Sequence, residues 1–150
     1  MRKCFFFDRD GVLNTSIVKN GKPYSPNNLK ELKITENAFE IIDYCKKKNF
    51  LTIVVTNQPD VKRKKVELKT VQSINKFLKE KLKFDDIFVC YDDNDSSYFR
   101  KPKPGMIFAA KHKWNIDLKR SFIIGDRDKD IKAGLNSGIK TIFIDNQYNE

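Results

Sequence analysis

Short apolar runs rich in β-branched and aromatic residues alternate along this chain with amphipathic stretches of helical spacing. This alternation predicts strands at residues 3–7, 51–55, 87–90, 122–124 and 141–144, and helices that include residues 38–45, 71–82, 106–110 and 131–135. A helix that connects two strands of one sheet makes those strands parallel. We therefore expect an α/β fold with a three-layer, doubly wound parallel sheet of about five strands flanked by helices.

The length and the apolar pattern indicate how the chain is organised. A chain of 150 residues fits a single domain, 1–150, and no Pro/Ser-rich linker or internal repeat divides it. Its apolar runs are far shorter than the ~18 residues of a membrane helix. Only four apolar residues separate the basic residues at the start from Asp8, too few for a signal peptide. We expect a cytoplasmic protein without membrane contact, either a monomer or a weak oligomer.

The charge balance and the cysteine spacing narrow the possible ligands. The net charge of +10 attracts phosphate-bearing partners, from small metabolites to nucleic acids. Cys4, Cys45 and Cys90 are widely separated, and His112 is the only histidine. Because these residues suit neither a disulfide framework nor a Cys/His metal site, we expect no zinc.

Four polar segments follow the predicted strands, the third of them after an intervening loop. They read Asp-Arg-Asp-Gly-Val at 8–12, Thr-Asn-Gln at 56–58, Arg-Lys-Pro-Lys-Pro-Gly at 100–105 and Gly-Asp-Arg-Asp-Lys-Asp at 125–130. In open α/β sheets, ligands bind beyond the carboxyl ends of the strands. The pattern therefore predicts that carboxylates, a hydroxyl and an ammonium group meet at one edge of the sheet.

The first segment carries two carboxylates that suit paired catalytic roles. Asp8 and Asp10 are two residues apart, so a strand-like backbone directs both to one side and turns Arg9 away. One carboxylate can attack phosphorus, and the second, kept protonated by its neighbours, can give a proton to the leaving oxygen. Gly11 allows a tight turn behind them. Taken alone, such a segment is as often an ordinary turn.

The fourth segment adds a third carboxylate, that of Asp126. An all-oxygen cluster of this type suits Mg²⁺ rather than zinc. The alternating acids also resemble the start of an EF-hand loop, but Ile131 and Ser137 occupy the positions that require Gly and Glu. The alternative without a metal is a helix N-terminus with acidic residues near its dipole.

The remaining two segments supply groups that can bind a phosphoryl group. Thr56 provides a hydroxyl donor, and the backbone amides of Asn57 and Gln58 can hold phosphate oxygens. Lys101, before Pro102, can offset the charge of a phosphoryl group during transfer. Neither GxxxxGK[ST] nor GxGxxG occurs in the sequence, so binding of nucleoside triphosphates or dinucleotides by those loops is unsupported.

Taken together and in this order, the four segments resemble the motifs of the haloacid dehalogenase (HAD) phosphohydrolase superfamily. The strings Phe-Phe-Asp-Arg-Asp-Gly-Val-Leu-Asn, Thr-Asn-Gln, Arg-Lys-Pro-Lys-Pro-Gly-Met and Gly-Asp-Arg-x-x-Asp are closest to one branch of it. That branch contains D-glycero-D-manno-heptose 1,7-bisphosphate phosphatase and histidinol-phosphate phosphatase. The resemblance covers nearly the whole chain and implies a Rossmann-like fold.

The resemblance also implies catalytic roles for particular residues. Asp8 would be the nucleophile that forms an aspartyl phosphate, and Asp10 the general acid and then the general base. Thr56 and Lys101 would stabilise the phosphoryl group. Asn57 would bind substrate.

A cofactor and further binding residues follow from the same resemblance. Mg²⁺ would be held by Asp8, Asp126 and the main-chain carbonyl of Asp10, and Asp130 would support that site. Arg100 would contact substrate.

The chain departs from the heptose branch in the loop before Arg100. Relatives there usually carry a zinc-binding Cys/His loop, whereas residues 91–99 contain neither Cys nor His. The intervals 11–55 and 57–100 each hold about one helix and one strand, so we expect no large cap domain. Selectivity would then come from short loops at 18–28 and 91–99.

The leading hypothesis is a Mg²⁺-dependent phosphomonoesterase acting on a sugar phosphate or bisphosphate. Alternatives within the enzyme class are a polynucleotide 3′-phosphatase, which the positive charge favours, and a histidinol-phosphate phosphatase. A different class is a non-catalytic basic module that binds nucleic acid or a protein partner. The role of the basic cluster at 62–65 stays open.

Overall fold

The computed structural model describes residues 1–149 and contains the α/β sheet that the sequence predicts. In chain order the elements are β1 (Cys4–Phe7), β2 (Ile17–Lys19), β3 (Lys22–Tyr24), α1 (Ala38–Lys47), β4 (Leu51–Asn57), α2 (Leu68–Leu82), β5 (Asp86–Cys90), α3 (Gly105–Trp114), β6 (Phe122–Gly125), α4 (Asp128–Ser137) and β7 (Lys140–Phe143). Five strands form a parallel sheet in the order β5-β4-β1-β6-β7. All five predicted strands are confirmed.

Two apolar layers cover the sheet, one on each face. Along β1, Cys4 and Phe6 point into a core that includes residues of α3 and α4. Phe5 and Phe7 point into the opposite core, with residues of α1 and α2. This alternation follows from the two-residue period of a strand. The doubly wound, three-layer arrangement is thereby confirmed.

The central strands are buried on both faces, which explains why they read as continuous apolar runs. All four residues of β1 are buried, as are the first six of β4. Parallel strands covered by helices on both sides need apolar side chains in both directions. Their carboxyl ends stop at one edge, where the chain becomes polar.

A β-hairpin lies in the interval that the sequence analysis treated as a loop, residues 18–28. Strands β2 and β3 pair in antiparallel fashion. Asn20 and Gly21 connect them with φ values of 52° and 76°, and positive φ at both positions is what a two-residue hairpin turn requires. Between β1 and β5 the described chain adds only this hairpin and single helices to the sheet, and it forms no separate cap.

The helices of the molecule are short. Within residues 1–149, none combines the length and the apolarity that crossing a membrane requires.

Candidate active site

A polar pocket of ≈ 490 Å³ lies at the carboxyl edge of the sheet. Its floor holds residues from the ends of β1, β4 and β6 and from the loop before α3, and the β2–β3 hairpin forms one wall. The lining residues that the sequence predicted are Asp8, Asp10, Asn57, Arg100, Lys101, Asp126 and Asp130. The topology therefore brings together four segments that are far apart in the chain.

Lys101 links two of the carboxylates at the floor of this pocket. Its Nζ donates to Asp8 Oδ1 at 2.9 Å and to Asp130 Oδ1 at 2.6 Å. All three side chains are buried. Asn57 fixes the backbone of Lys101, since its Nδ2 donates to the Lys101 carbonyl and its Oδ1 accepts from the Lys101 amide, both at 3.1 Å. Lys101 is therefore fixed at its ammonium group by the two carboxylates and at its backbone by Asn57.

The electrostatics of this cluster keep Lys101 charged. Burial alone would lower the pKa of Lys101, but the charges of Asp130 and Asp8 raise it above its usual value. Burial raises the pKa of Asp8 to about 6 against the pull of Lys101, and the charges of Asp126 and Asp10 add to the rise. Burial likewise raises the pKa of Asp130 to about 6, with Asp8 as the next cause. Near neutral pH the candidate nucleophile Asp8 is therefore still largely ionised.

Asp10 lies in a separate hydrogen-bond network. Its Oδ1 accepts from Arg9 Nε and Nη2 at 3.1 and 2.8 Å and from Asn14 Nδ2 at 2.9 Å. Its Oδ2 accepts from Ser25 Oγ at 2.5 Å and from Gln58 Nε2 at 3.0 Å. Every one of these partners acts as a donor towards the carboxylate.

This network corrects the expectation that neighbouring groups keep Asp10 protonated. Burial acts to raise the pKa of Asp10, but the Arg9 charge and the hydrogen bonds lower it below its ordinary value. Arg9 does not turn away to solvent either. Its side chain is buried, and its Nη1 donates to Asn75 Oδ1 on α2 at 2.8 Å. In the free protein Asp10 is ionised.

Two further predicted residues occupy different positions relative to the pocket. Thr56 is buried behind the pocket wall, where its hydroxyl accepts a hydrogen bond from Gln58 Nε2 at 3.0 Å. Arg100 lines the pocket, and its guanidinium is anchored by Asp95 Oδ1 at 3.1 Å and by the Asp92 carbonyl at 3.2 Å. The loop at 91–99 thus orients Arg100.

Gly11 and Gly125 allow the acidic residues to approach the backbone. Gly11 has φ of +88°, and an added Cβ there would lie 1.8 Å from Asp126 Oδ2. A Cβ at Gly125 would lie 2.2 Å from Asp130 Cβ. Asp130 also accepts a hydrogen bond from the Arg127 amide at 3.1 Å, in the first turn of α4.

Comparisons with known proteins agree on one family. A family model described as HAD-hydrolase-like matches residues 98–147. A D-glycero-alpha-D-manno-heptose-1,7-bisphosphate 7-phosphatase of Campylobacter jejuni is 32% identical over 150 residues, which cover 97% of this chain and 83% of the relative. A D-glycero-beta-D-manno-heptose-1,7-bisphosphate 7-phosphatase of Helicobacter pylori strain 26695 is 30% identical over 145 residues, covering 92% and 80%. The chain belongs to the HAD phosphatase superfamily.

The fold of this HAD phosphatase agrees with that assignment. The crystal structure of D,D-heptose 1.7-bisphosphate phosphatase from B. bronchiseptica, complexed with magnesium and phosphate, matches it with a TM-score of 0.81. The sequences are 23% identical, and the match covers 93% of this chain and 78% of the other. The family that the four motifs indicated is confirmed, and so is the expectation of a phosphatase.

The acidic residues of this HAD phosphatase fit a hard divalent cation. Carboxylate oxygens of Asp8, Asp126 and Asp130 lie within 4.8 Å of one another. Among residues 1–149, Asp126 Oδ1 is a buried oxygen without a hydrogen-bond partner. Burial raises the pKa of Asp126, and a cation beside it would favour the ionised form. Lys101 pairs with both Asp130 and Asp8, so the unpartnered oxygen of Asp126 is the clearest candidate ligand for Mg²⁺.

A group of basic side chains surrounds the acidic floor of this HAD phosphatase. We call this group the basic rim: Lys22, Arg63, Lys65, Arg127 and Lys129. Arg63 lies 3.4 Å from Asp60, whereas within the described residues Lys22, Lys65 and Lys129 form no ion pair. Burial lowers the pKa of Lys129 to about 8, and the charges of Arg127, Arg100 and Lys101 contribute. An anion bound here would relieve that repulsion.

The contacts that several side chains make in the site were not predicted from the sequence, which indicated only a backbone role for Gln58. Arg9, Asn14, Ser25 and Gln58 all contact the Asp10 carboxylate, and Lys129 lies in the pocket wall. The sequence pattern could have indicated two of them. Arg9 lies between the two predicted catalytic acids, and Gln58 is the last residue of the predicted Thr-Asn-Gln motif. Nothing in the sequence pattern distinguishes the others from surface residues.

Proposed function

We propose that this HAD phosphatase is a Mg²⁺-dependent phosphomonoesterase that removes one phosphate from a sugar bisphosphate similar to D-glycero-D-manno-heptose 1,7-bisphosphate. The substrate class is supported by its similarity to heptose-1,7-bisphosphate 7-phosphatases. The observation that carries the chemistry is the arrangement of Asp8, Lys101 and Asp126 at the floor of one pocket. A carboxylate nucleophile, a fixed ammonium and a carboxylate with a free oxygen are what transfer of a phosphoryl group to the protein needs.

In the first half of the proposed reaction, Asp8 is phosphorylated. A carboxylate oxygen of Asp8 attacks phosphorus, and the bond from phosphorus to the sugar oxygen breaks. Lys101 offsets the negative charge on the phosphoryl oxygens. Mg²⁺, held by Asp8, Asp126 and the main-chain carbonyl of Asp10, would supply further charge stabilisation. Asp130 keeps Lys101 in position through its 2.6 Å contact.

Asp10 supplies the proton for the leaving oxygen in this scheme. It is ionised in the free protein, but a phosphate group brings negative charge beside it, and negative charge raises the pKa of a carboxyl group. Asp10 therefore takes up a proton as substrate binds. The five donors of its network orient the carboxylate before the substrate binds.

In the second half of the reaction, water releases the phosphate. Asp10, ionised again after giving its proton to the sugar, accepts a proton from water. The water oxygen bonds to phosphorus, and the bond between phosphorus and Asp8 breaks to give inorganic phosphate. Thr56 and Asn57 hold the wall at the end of β4 during both steps.

The basic rim supports a substrate with a second phosphate. Arg100 and the rim lysines lie around the same pocket as Asp8, so one phosphate can occupy the floor while another contacts the rim. The pocket volume of ≈ 490 Å³ has room for a phosphorylated sugar. The hairpin wall also leaves the pocket open on one side, which suits an extended substrate.

The experiment that tests this function measures phosphate release from three substrates in the presence of Mg²⁺. These are a heptose 1,7-bisphosphate, the corresponding monophosphates, and a 3′-phosphorylated oligonucleotide. We expect kcat/KM for the bisphosphate to exceed that for the monophosphates by about tenfold, the effect of one additional charged contact. Removal of divalent cations with EDTA should abolish release, and added Mg²⁺ should restore it.

The oligonucleotide arm tests the main alternative. The net charge of +10 and the exposed basic cluster at 62–65 favour a polyanionic substrate. If the oligonucleotide is hydrolysed more efficiently than the bisphosphate, the substrate class proposed here is wrong. If none of the three substrates releases phosphate although Mg²⁺ binds, the proposed phosphomonoesterase activity on these classes is wrong.

A further inference from the structure

The segment at residues 145–149, which we call the strap, runs from the end of β7 across the pocket edge to the β2–β3 hairpin. Its last contact is a hydrogen bond from the Asn149 amide to the Gly21 carbonyl at 2.8 Å. Between these two ends it passes directly over Gly11 and Asp126. The strap therefore joins the hairpin wall to the acidic floor.

One strap side chain contacts Asp126, and a second contacts the first. Asn146 Nδ2 lies 3.2 Å from Asp126 Oδ2, 3.1 Å from the Gly11 carbonyl and 3.1 Å from the Tyr148 hydroxyl. Tyr148 is therefore linked to Asp126 through Asn146. Asp126 Oδ1 has no partner among the described residues.

The direction of these bonds is determined by the chemistry of the groups. The Asp126 carboxylate can only accept, so Asn146 donates to it through its side-chain amide. The Tyr148 oxygen accepts from the same amide nitrogen and lies 2.6 Å from the Ser16 hydroxyl. Asn146 thus connects Tyr148 to Asp126.

Gly11 makes this arrangement possible. A Cβ at that position would lie 1.8 Å from Asp126 Oδ2 and 2.8 Å from the Tyr148 hydroxyl. The absence of a side chain there leaves space for both groups. Asp126 Oδ2 is thus held by Asn146, while Oδ1 is buried and unpartnered among the described residues.

We infer that Asn146 and Tyr148 are positioning residues: Asn146 holds Asp126 Oδ2, Tyr148 holds Asn146, and together they direct Asp126 Oδ1 to the cation position of the active site. The inference rests on the Mg²⁺ site of the proposed function. Groups that orient a metal ligand act on the affinity for the metal, and their removal costs about 10- to 100-fold. The strap residues would therefore control metal affinity without contacting the metal or the substrate.

The test measures binding of Mn²⁺, used as a probe for the Mg²⁺ site, by counting free Mn²⁺ with electron paramagnetic resonance. The proteins compared are the wild type, Tyr148→Phe, Asn146→Ala and Asp126→Asn. Tyr44→Phe and Asn28→Ala are matched controls whose side chains do not line the pocket. We expect Tyr148→Phe and Asn146→Ala each to raise the Kd for Mn²⁺ about tenfold and the controls to leave it unchanged.

Thermal unfolding in EDTA separates positioning from a structural role. If Asn146 and Tyr148 only position Asp126, the melting temperature of the metal-free protein stays within about 2 °C of the wild type. A tenfold loss of Mn²⁺ affinity at constant metal-free stability supports the inference. Unchanged affinity in both strap variants overturns it, and so does a loss of affinity that accompanies a fall of more than about 5 °C.

Asp126→Asn distinguishes failure of this inference from failure of the metal site itself. If the wild type binds Mn²⁺ and Asp126→Asn does not, the site stands, and the strap variants alone decide the role of Asn146 and Tyr148. If Asp126→Asn binds Mn²⁺ as the wild type does, Asp126 is not a ligand. The metal site in the proposed function and the inference about the strap are then both wrong.

Discussion

The acidic floor of the pocket and the basic rim around it differ in how their charges are partnered. At the floor, Lys101 is within 2.9 Å of Asp8 and 2.6 Å of Asp130, and all three side chains are buried. At the rim, Lys22 and Lys65 are exposed, Lys129 is half-buried, and within the described part of the chain these three form no ion pair. The floor is organised before a ligand arrives, whereas no ion pair among the described residues fixes these three lysines.

This difference indicates a division of labour between the two regions. Groups that carry out chemistry benefit from fixed positions, because no reorganisation is then needed during the reaction. Cations without a carboxylate partner keep their charge available for an anionic ligand. We therefore expect substitutions at the floor to change kcat and substitutions at the rim to change KM. The four predictions that follow test this expectation and the stability of the charge networks, beginning with the largest effect.

Asp8→Asn should reduce kcat by about 10³-fold or more, because the amide cannot form the aspartyl phosphate. The measurement is phosphate release under saturating substrate, together with mass spectrometry for a phosphorylated protein. Asp43→Asn, at an exposed ion pair with Lys47, is the matched control and should retain wild-type kcat. Substantial turnover by Asp8→Asn would mean that the floor works by another route.

Arg9→Met should destabilise the protein by about 2–4 kcal/mol at pH 7, because it leaves a largely buried carboxylate without its positive partner. The measurement is urea unfolding as a function of pH. Arg9 lowers the pKa of Asp10, and a lowered carboxyl pKa stabilises the fold above the unfolded value of 3.8. The difference between wild type and variant should therefore shrink as the pH falls below about 4.

An exposed arginine provides the control for Arg9. Arg120 pairs with Asp117 at 2.9 Å, but its side chain is 56% exposed. Arg120→Met should cost less than about 0.5 kcal/mol. Equal losses from the two arginines would show that the buried network around Asp10 contributes no special stability.

Lys129→Ala should raise KM for a sugar bisphosphate about tenfold and leave KM for a monophosphate within about twofold. The reason is that Lys129 lies at the rim, where only the second phosphate would reach it. Steady-state kinetics at two salt concentrations provide the measurement, and the effect should decrease at high salt. Lys132→Ala, on the same helix but exposed and paired with Asp128, should change neither KM. An effect on kcat alone would place Lys129 in the chemistry.

Asp86→Asn should have the smallest effect, about 0.5–1 kcal/mol of stability at pH 7 and none on kcat. Asp86 begins β5, at the edge of the sheet opposite the pocket, and accepts from Lys113 Nζ at 2.7 Å and Trp114 Nε1 at 2.9 Å. Burial acts to raise the pKa of Asp86, but these hydrogen bonds lower it. The stabilisation is therefore present above about pH 4 and lost below it, as unfolding of both proteins across this range would show. If Asp86→Asn lowered kcat, the prediction would be wrong, because Asp86 would then influence the pocket at the other edge of the sheet.

The sheet could be predicted from the sequence because its central strands are continuous runs of apolar residues. Residues 51–55 form a continuous apolar run, and in the structure every one of them is buried between two helical layers. The hairpin at β2–β3 was missed, although Asn20-Gly21 is a strong turn signal. Its flanking residues are too polar to be distinguished from a loop by hydrophobic pattern alone.

The sequence predicted which acidic and basic residues meet at the candidate site. It did not predict which hydrogen bonds and ion pairs they form there. The carboxyl ends of parallel strands must share an edge, so Asp8, Lys101 and Asp126 could be placed together from their order alone. The ionised state of Asp10 could not be predicted, since it depends on donors from Asn14, from Ser25 and from Gln58, just after β4. The proximity of Asn146 and Tyr148 to Asp126 could not be predicted either, because no spacing rule connects these residues.

Position 11 has a practical consequence for anyone who wishes to redesign this scaffold. One extra carbon atom there would occupy the space of a carboxylate oxygen, at a backbone angle that side chains rarely adopt. Variant libraries aimed at new substrates should therefore keep this glycine invariant and diversify the hairpin wall instead. Gly11→Ala, conversely, offers a built-in way to disable the molecule with the least possible change in mass.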